Sequence, residues 1–236
     1  MTRLKLVATD VDGTITVRRG SLLLSIEAVE AIRELERNGI KVSLVSGNSV
    51  PVTAGLSRYV GATGPTVAEN GCVVFSHGRI YHVCKGRPSS ELVERIKELG
   101  FRESWQNAFR FHDLAFLHDS KEEMAALIPE VEKIVQAEGM RILWSGYAIH
   151  IQPPNGGKGR GLKFAAELAG VRPSEIAAVG DGDNDADMFE IAAFRACPSD
   201  ASEGLKRLAD YVASRPGGAG FAEVARYILR ELGFRG

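Results

Sequence analysis

The chain has 236 residues, 44% of them hydrophobic and 25% charged, with a formal net charge of −1. That length allows one large domain or a core with a smaller insertion, and the near-neutral balance excludes the basic surface of a nucleic-acid-binding protein. No apolar run reaches the length of a membrane span and no stretch reads as a signal peptide, so a cytoplasmic monomer or homodimer is expected.

Leu4 to Ala8 reads as a buried strand. It runs into Asp10-Val11-Asp12-Gly13-Thr14. In an extended chain, residues i and i+2 point the same way, so Asp10 and Asp12 can face one centre. Ser25 then caps a helix with Glu27 in its first turn and Val29, Ile32 and Leu35 on one face; Gly39 ends it. Ile40 to Val45 is a second strand, followed by Ser46-Gly47-Asn48-Ser49 and a helix with Pro51 in its first turn. Strand, polar loop and helix repeated twice argue for a parallel sheet. Thr66 to Ala68 is a third strand, ending at Glu69-Asn70-Gly71. A hairpin follows, from Cys72 to Phe75 and from Arg79 to Val83 about Ser76-His77-Gly78.

From Cys84 the rhythm changes. A helix started by Ser89 or Ser90 carries Leu92, Val93, Ile96 and Leu99. Leu114 to His118 is a strand. Ser120 and Glu123 have the spacing of a capping box. Pro129 must kink the helix they open, or start another. Arg141 to Trp144 and Tyr147 to Gln152 pair as a hairpin about Ser145-Gly146. This break in alternation predicts an inserted α+β domain at residues 84–153, within a core of 1–83 and 154–236. The parallel rhythm resumes with a helix from Lys158 and a strand from Ile176 to Val179. That strand ends at Gly180-Asp181-Gly182-Asp183-Asn184-Asp185-Ala186-Asp187, the densest acidic cluster in the chain. Short strands at Ala196-Cys197 and Tyr211 to Ala213 precede a last helix from Phe221 to Leu232. Cys72, Cys84 and Cys197 form no C-x-x-C and no zinc spacing, and no disulfide is expected.

Four polar loops at element ends carry the chemistry. Hard oxygen ligands select Mg²⁺, which Asp10 and Asp181 can supply. A Ser and a Lys aimed at such a metal make a cradle for a phosphoryl group. One carboxylate can attack phosphorus while a second moves protons. Taken singly, Ser46-Gly47 is as well read as a turn and Lys158 as a solvated side chain. Asp181, Asp183 and Asp185 have calcium-loop spacing, but Ala186 and Ala192 stand where an EF-hand needs Gly and Glu. Gly157-Lys158 lacks the Ser or Thr of a phosphate-binding P-loop. His112 and His118 read as ordinary residues, Trp105 and Trp144 as packing, and Asp187 as a solvated charge at a helix start.

In this order the loops resemble the motifs of the haloacid-dehalogenase-like superfamily. Asp10 to Thr14 is similar to its first motif, Ser46-Gly47 to its second, Lys158 to its third and Gly180 to Asp185 to its fourth. The insertion between the second and third motifs matches the capped, Cof-like branch. Ser46-Gly47-Asn48, Ala68-Glu69-Asn70-Gly71 and Gly146 to Ile151 resemble archaeal phosphoglycolate phosphatases; many sugar-phosphate relatives have Arg where Asn48 stands.

The resemblance implies a Rossmann-like core, an inserted cap and Mg²⁺-dependent hydrolysis of a small phosphomonoester, most simply 2-phosphoglycolate. It implies Asp10 as nucleophile and metal ligand. It makes Asp12 the acid/base and a ligand through its carbonyl. Asp181 and Asp185 complete the metal set, Ser46 and Lys158 hold the phosphoryl oxygens, and Asn48 and Asn184 assist. A carboxylate-bearing substrate wants a cationic contact from the cap; Arg141 and His150 are candidates, although a surface place is expected for each. The rivals are a phosphosugar phosphatase or phosphotransferase, and a receiver-like protein that stores phosphate on Asp10. Receivers, however, are about half this length and carry no cap.

Overall fold

The computed structural model describes residues 3–144 and 147–232. β1 (Leu6–Thr9) is buried on both sides, Leu6 and Ala8 in one hydrophobic cluster and Val7 in another. A strand covered on both faces needs helices above and below it. α1 (Ile26–Arg37) begins at Ser25, whose hydroxyl accepts from the Ala28 amide, and buries Ala28, Ala31, Ile32 and Leu35. β2 (Lys41–Leu44) and α2 (Val50–Val60), with Pro51 in its first turn, complete the second unit. β3 (Thr66–Ala68) pairs antiparallel with β4 (Val73–Ser76), and β4 with β5 (Arg79–His82).

Next come α3 (Ser90–Glu98), β6 (Arg102–Glu103), β7 (Leu114–Leu117), α4 (Lys121–Ala137), β8 (Arg141–Trp144) and β9 (Ile149–Gln152). These strands form a separate antiparallel sheet in the order β6-β7-β9-β8. Leu114, Phe116, Ile149 and Ile151 on one face of it pack with Leu92 and Ile96 of α3 and with Met124, Val131 and Val135 of α4. The chain then returns through α5 (Lys158–Ala169), β10 (Ile176–Val179), α6 (Ala186–Ile191), β11 (Phe194–Cys197), α7 (Glu203–Lys206), β12 (Tyr211–Val212) and α8 (Gly217–Tyr227). The core sheet is parallel, in the order β12-β11-β10-β1-β2. The architecture is thus an α/β, Rossmann-like core with a smaller inserted α+β cap. Among the described residues no helix is long and apolar enough to cross a membrane.

Four expectations are corrected. Cys72 and Cys84 form a disulfide. The β4–β5 hairpin causes it: the Val73↔His82 register carries back to Cys72, whose carbonyl accepts from the Val83 and Cys84 amides. Of the two alternatives for Pro129, a new helix is excluded: it lies inside α4, which runs on to Ala137. Pro129 and Ala125 both lie on the exposed side, where water can serve the carbonyl that Pro129 leaves without a donor. Trp105 and Trp144 are exposed rather than packed, at 68% and 45%: Trp105 opens the single turn of 3-10 helix before β7, and Trp144 ends β8, the edge strand of the cap sheet. The last helix begins at Gly217, four residues earlier than expected, where Gly218 and Gly220 let it approach Ser25 and Pro198 closely. The turn expected at Ser145-Gly146 lies outside the described residues.

Candidate active site

The chain leaves β1 for β2 on one side and pairs β1 with β10 on the other. Ligands bind at such a switch point, beyond the carboxyl ends of the strands. The registers Thr9↔Leu44 and Thr9↔Val179 bring the loops after all three strands to one level. Asp10, Ser46 and Asp181 therefore converge from three separate stretches of sequence.

Lys158 is the first residue of α5 and is 3% exposed. Its Nζ donates to Asp10 Oδ1 at 2.7 Å and to Asp185 Oδ1 at 2.6 Å. Asp185 Oδ2 accepts from the Asp181 and Gly182 amides, both at 3.0 Å. Asp181 Oδ1 accepts from the Thr14 hydroxyl at 3.3 Å, and its Oδ2 pairs with Arg19 Nε at 2.7 Å. Gly13 makes this packing possible: its φ is +92°, and a Cβ there would run into the Asp181 carboxylate.

Carboxylate oxygens of Asp10, Asp181 and Asp185 lie within 4.8 Å of one another, close enough to hold one metal ion. Their crowding is visible in their acidity. Burial and the Asp185 charge push the Asp10 carboxyl well above the usual carboxylate range and raise Asp181 to about 6. Burial alone would lower the Lys158 ammonium, but Asp10 and Asp185 hold it far above its ordinary value. Three buried acids against one buried lysine leave a negative surplus that a divalent cation would offset, so the residues present fit such an ion.

Asp12 stands at the open side of the cleft and accepts at Oδ2 from Asn48 Nδ2 at 3.0 Å. Loss of surrounding water raises its carboxyl, against the opposing pull of Asn48, Lys158 and His150. Ser46 is buried, and its Oγ accepts from the Asn48 amide at 3.1 Å and from Asn48 Nδ2 at 3.0 Å. Its own O–H stays available for a ligand. Asn184 is half-buried on the acidic loop, but among the described residues no hydrogen bond joins it to Ser46, Lys158 or the three clustered acids. Asp183 is exposed and accepts from Ser202. Asp187 is not a solvated charge. Its Oδ1 is buried without a hydrogen-bond partner, because Gly157 and Gly159 let the start of α5 approach it, and burial raises its carboxyl.

Several residues escaped the sequence reading. Arg19 reaches Asp181 from an exposed loop. From the cap, Gln106 donates through Nε2 to Asn48 Oδ1 at 2.8 Å and accepts from the Ser49 amide at 2.8 Å. Glu69 accepts from the amides of Phe111, His112 and Asp113. Asp113 is fully buried and takes hydrogen bonds from Asn70, Arg110 and His150 at 2.8–2.9 Å. His150 is 7% exposed and Arg141 half-buried, so neither has the surface place expected of it.

A model of the haloacid dehalogenase-like hydrolase family matches residues 7–112 and 101–224. A phosphoglycolate phosphatase of Aeropyrum pernix is 42% identical over 225 residues, 95% of this chain and 93% of that protein. Another, of Metallosphaera sedula, is 42% identical over 226 residues, 96% and 99% of the two chains. A crystal structure from Thermoplasma acidophilum has a TM-score of 0.87 at 29% identity, covering 97% of this chain and 99% of that one. A haloacid dehalogenase-like hydrolase from Bacteroides thetaiotaomicron shares the fold, with a TM-score of 0.79 at 19% identity over 96% of this chain and 100% of its own. With its motif loops gathered at one switch point and its sequence matched from β1 to α8, the chain belongs to the haloacid dehalogenase-like hydrolases.

Proposed function

We propose that the chain is a Mg²⁺-dependent phosphatase that hydrolyses 2-phosphoglycolate to glycolate and phosphate through an aspartyl-phosphate. One observation carries the chemistry. A buried lysine bridges Asp10 and Asp185 within reach of Asp181, so a nucleophile, a cation and a metal-ready cluster share one cleft. The substrate rests on the archaeal relatives, phosphoglycolate phosphatases that align with nearly the whole chain.

In this reading Asp10 attacks phosphorus with the carboxylate oxygen that Lys158 does not hold. The P–O bond to glycolate breaks, and the leaving alkoxide takes a proton from Asp12, whose raised carboxyl suits it to carry one. Asp12 then removes a proton from water as that water attacks the phosphorus, which frees phosphate and restores Asp10. Ser46 and Lys158 donate to the phosphoryl oxygens, and Asn48 and Asn184 border the same group. Asp10, Asp181, Asp185 and the Asp12 carbonyl would hold Mg²⁺, which, when bound, neutralises charge on the phosphoryl oxygens. The cap, placed at residues 84–153, excludes bulk water and selects the leaving group.

The test is phosphate release from 2-phosphoglycolate, sugar phosphates and an aryl phosphate, with and without Mg²⁺. Release that needs Mg²⁺ and prefers 2-phosphoglycolate is expected. Release from other esters alone discards the substrate and keeps the chemistry; no release from any ester overturns both.

A further inference from the structure

We propose that His150 and Arg141, on the face of the cap sheet turned toward the core, form the receptor for the substrate's carboxylate, with Asp113 positioning His150. This rests on the phosphoglycolate reading and deepens it.

The two faces of the cap sheet differ sharply. Ile149 and Ile151 of β9, Ile142 of β8 and Phe116 of β7 point toward α3 and α4. Alternation sends His150, Gln152 and Arg141 to the other side. That side meets the core. The Gln152 side chain lies against Cys72 and Gly156, and Arg141 Nη2 reaches the space beside Gly157, one residue before Lys158. Arg141 and Gln152 are cross-strand partners, and His150 is diagonal to Arg141, within reach of one small ligand.

Charge accounting points the same way. Asp113 is the only carboxylate within ion-pair distance of His150 among the described residues, and it already faces the Arg110 guanidinium at 2.8 Å and Asn70 Nδ2 at 2.9 Å. Arg141 has no carboxylate within that distance among the described residues, although Asp187 faces the same space beside Gly157 and its charge acts on the guanidinium; its Nε and Nη2 are met by the Gln152 amide oxygen, in the orientation that satisfies both groups. Asp113 thus faces Arg110 and His150 while Arg141 stands apart from it, so the cap brings more positive than negative charge to this side of the site. Asp113 takes the Nδ1–H of His150, so Nε2 is the ring atom left for a ligand. Asp113, which His150 meets, also holds Asn70, and Asn70 lies against Gly47, next to Ser46; these contacts tie the ring to the loop proposed to hold the phosphoryl group, from which the rest of the substrate must extend. In 2-phosphoglycolate that rest is the carboxylate.

The test compares kcat/KM for 2-phosphoglycolate with kcat/KM for ethyl phosphate, which has a similar size but no carboxylate, in wild type, His150→Gln, Arg141→Met and Arg141→Lys. The wild-type ratio should be high. His150→Gln and Arg141→Met should each lower it about 10- to 100-fold, chiefly through KM for 2-phosphoglycolate, the loss expected for one charge-assisted hydrogen bond. Arg141→Lys should restore part of it. If wild type shows no preference, the substrate reading fails and the receptor with it. If wild type prefers 2-phosphoglycolate but the variants keep the ratio, or lose both esters equally, the receptor is overturned and the substrate reading stands. Arg141 is half-buried on the rim, so its variants keep the test open should His150→Gln fail to fold.

Discussion

Asp113 in the cap and Asp181 in the core are both buried carboxylates, yet their surroundings move them in opposite directions. Burial pushes both upward. At Asp113, His150, Arg110 and Asn70 outweigh it and hold the carboxyl below its ordinary value. At Asp181, the Asp185 charge adds to burial and Arg19 only partly opposes it, so the carboxyl rises to about 6. The cap acid is supplied with cations by its own chain, to excess. The core acids crowd together, as groups do when a cation is to come from outside. The proposed substrate, a phosphorylated acid taken with Mg²⁺, would complement both halves at once: metal against the acids, carboxylate against the cationic cap.

The contrast can be broken at either end. The largest effect should follow Asp10→Asn, which removes the proposed nucleophile and also one charge from the crowded set. Phosphate release should fall about 10⁴-fold or more, while thermal unfolding without Mg²⁺ should occur no earlier than in wild type. Full activity in this variant would sink the mechanism. Asp113→Ala, by contrast, strips the partner from a buried arginine and should cost about 3–5 kcal/mol of stability. That is roughly a 6–20 °C loss in melting temperature, read by calorimetry; an unchanged melting point would mean the cap cluster is not held as described. Gln106→Ala cuts the contact from cap to Asn48, and through Asn48 to Asp12. Two neutral hydrogen bonds are lost, to Asn48 and from the Ser49 amide; the one to Asn48, about 1 kcal/mol, should slow turnover about fivefold.

The smallest effect sharpens the comparison through pH. Asp181 keeps its proton in the fold up to about pH 6 but in the unfolded chain only to the ordinary value of 3.8. Its contribution therefore favours the metal-free fold at low pH and is lost as pH rises through 6. Mg²⁺ should accordingly raise the melting temperature by a few degrees more at pH 7.5 than at pH 5. Equal shifts at the two pH values would argue that the crowded acids do not take up the ion.

Much of the core was legible because its chemistry is local. Asp10, Ser46 and Asp181 each follow an apolar strand directly, so a single short stretch marks both the element and the group it presents. Lys158 was legible as a helix start, but taken singly it reads as a solvated side chain, and its role came from the resemblance of the four loops together. The cap network was not. His150 meets Asp113 across 37 residues and Asn70 meets Asp113 across 43, and nothing in the spacing of lone polar residues records such a meeting. Asp187 was misjudged because its burial is caused by glycines of another helix. The disulfide was within reach: the expected hairpin, paired back past Val83, already sets Cys72 beside Cys84.

The chain crosses between core and cap twice, and both crossings are fastened to the same short segment. The outgoing strand is tied by Cys84 to Cys72. The returning segment is tied by the Gly157 amide to the Asn70 carbonyl, beside a Gly71 whose φ of +90° and missing side chain admit the approach. A body whose two chain crossings meet at one place turns about that place once an outlying contact, such as that of Gln106 with Asn48 and Ser49, parts. The cap should thus swing as a rigid flap about residues 70–72. The gap above Lys158 then opens by angle, least near Asn70 and most at the far rim, and reduction of the disulfide would add a second degree of freedom to that motion.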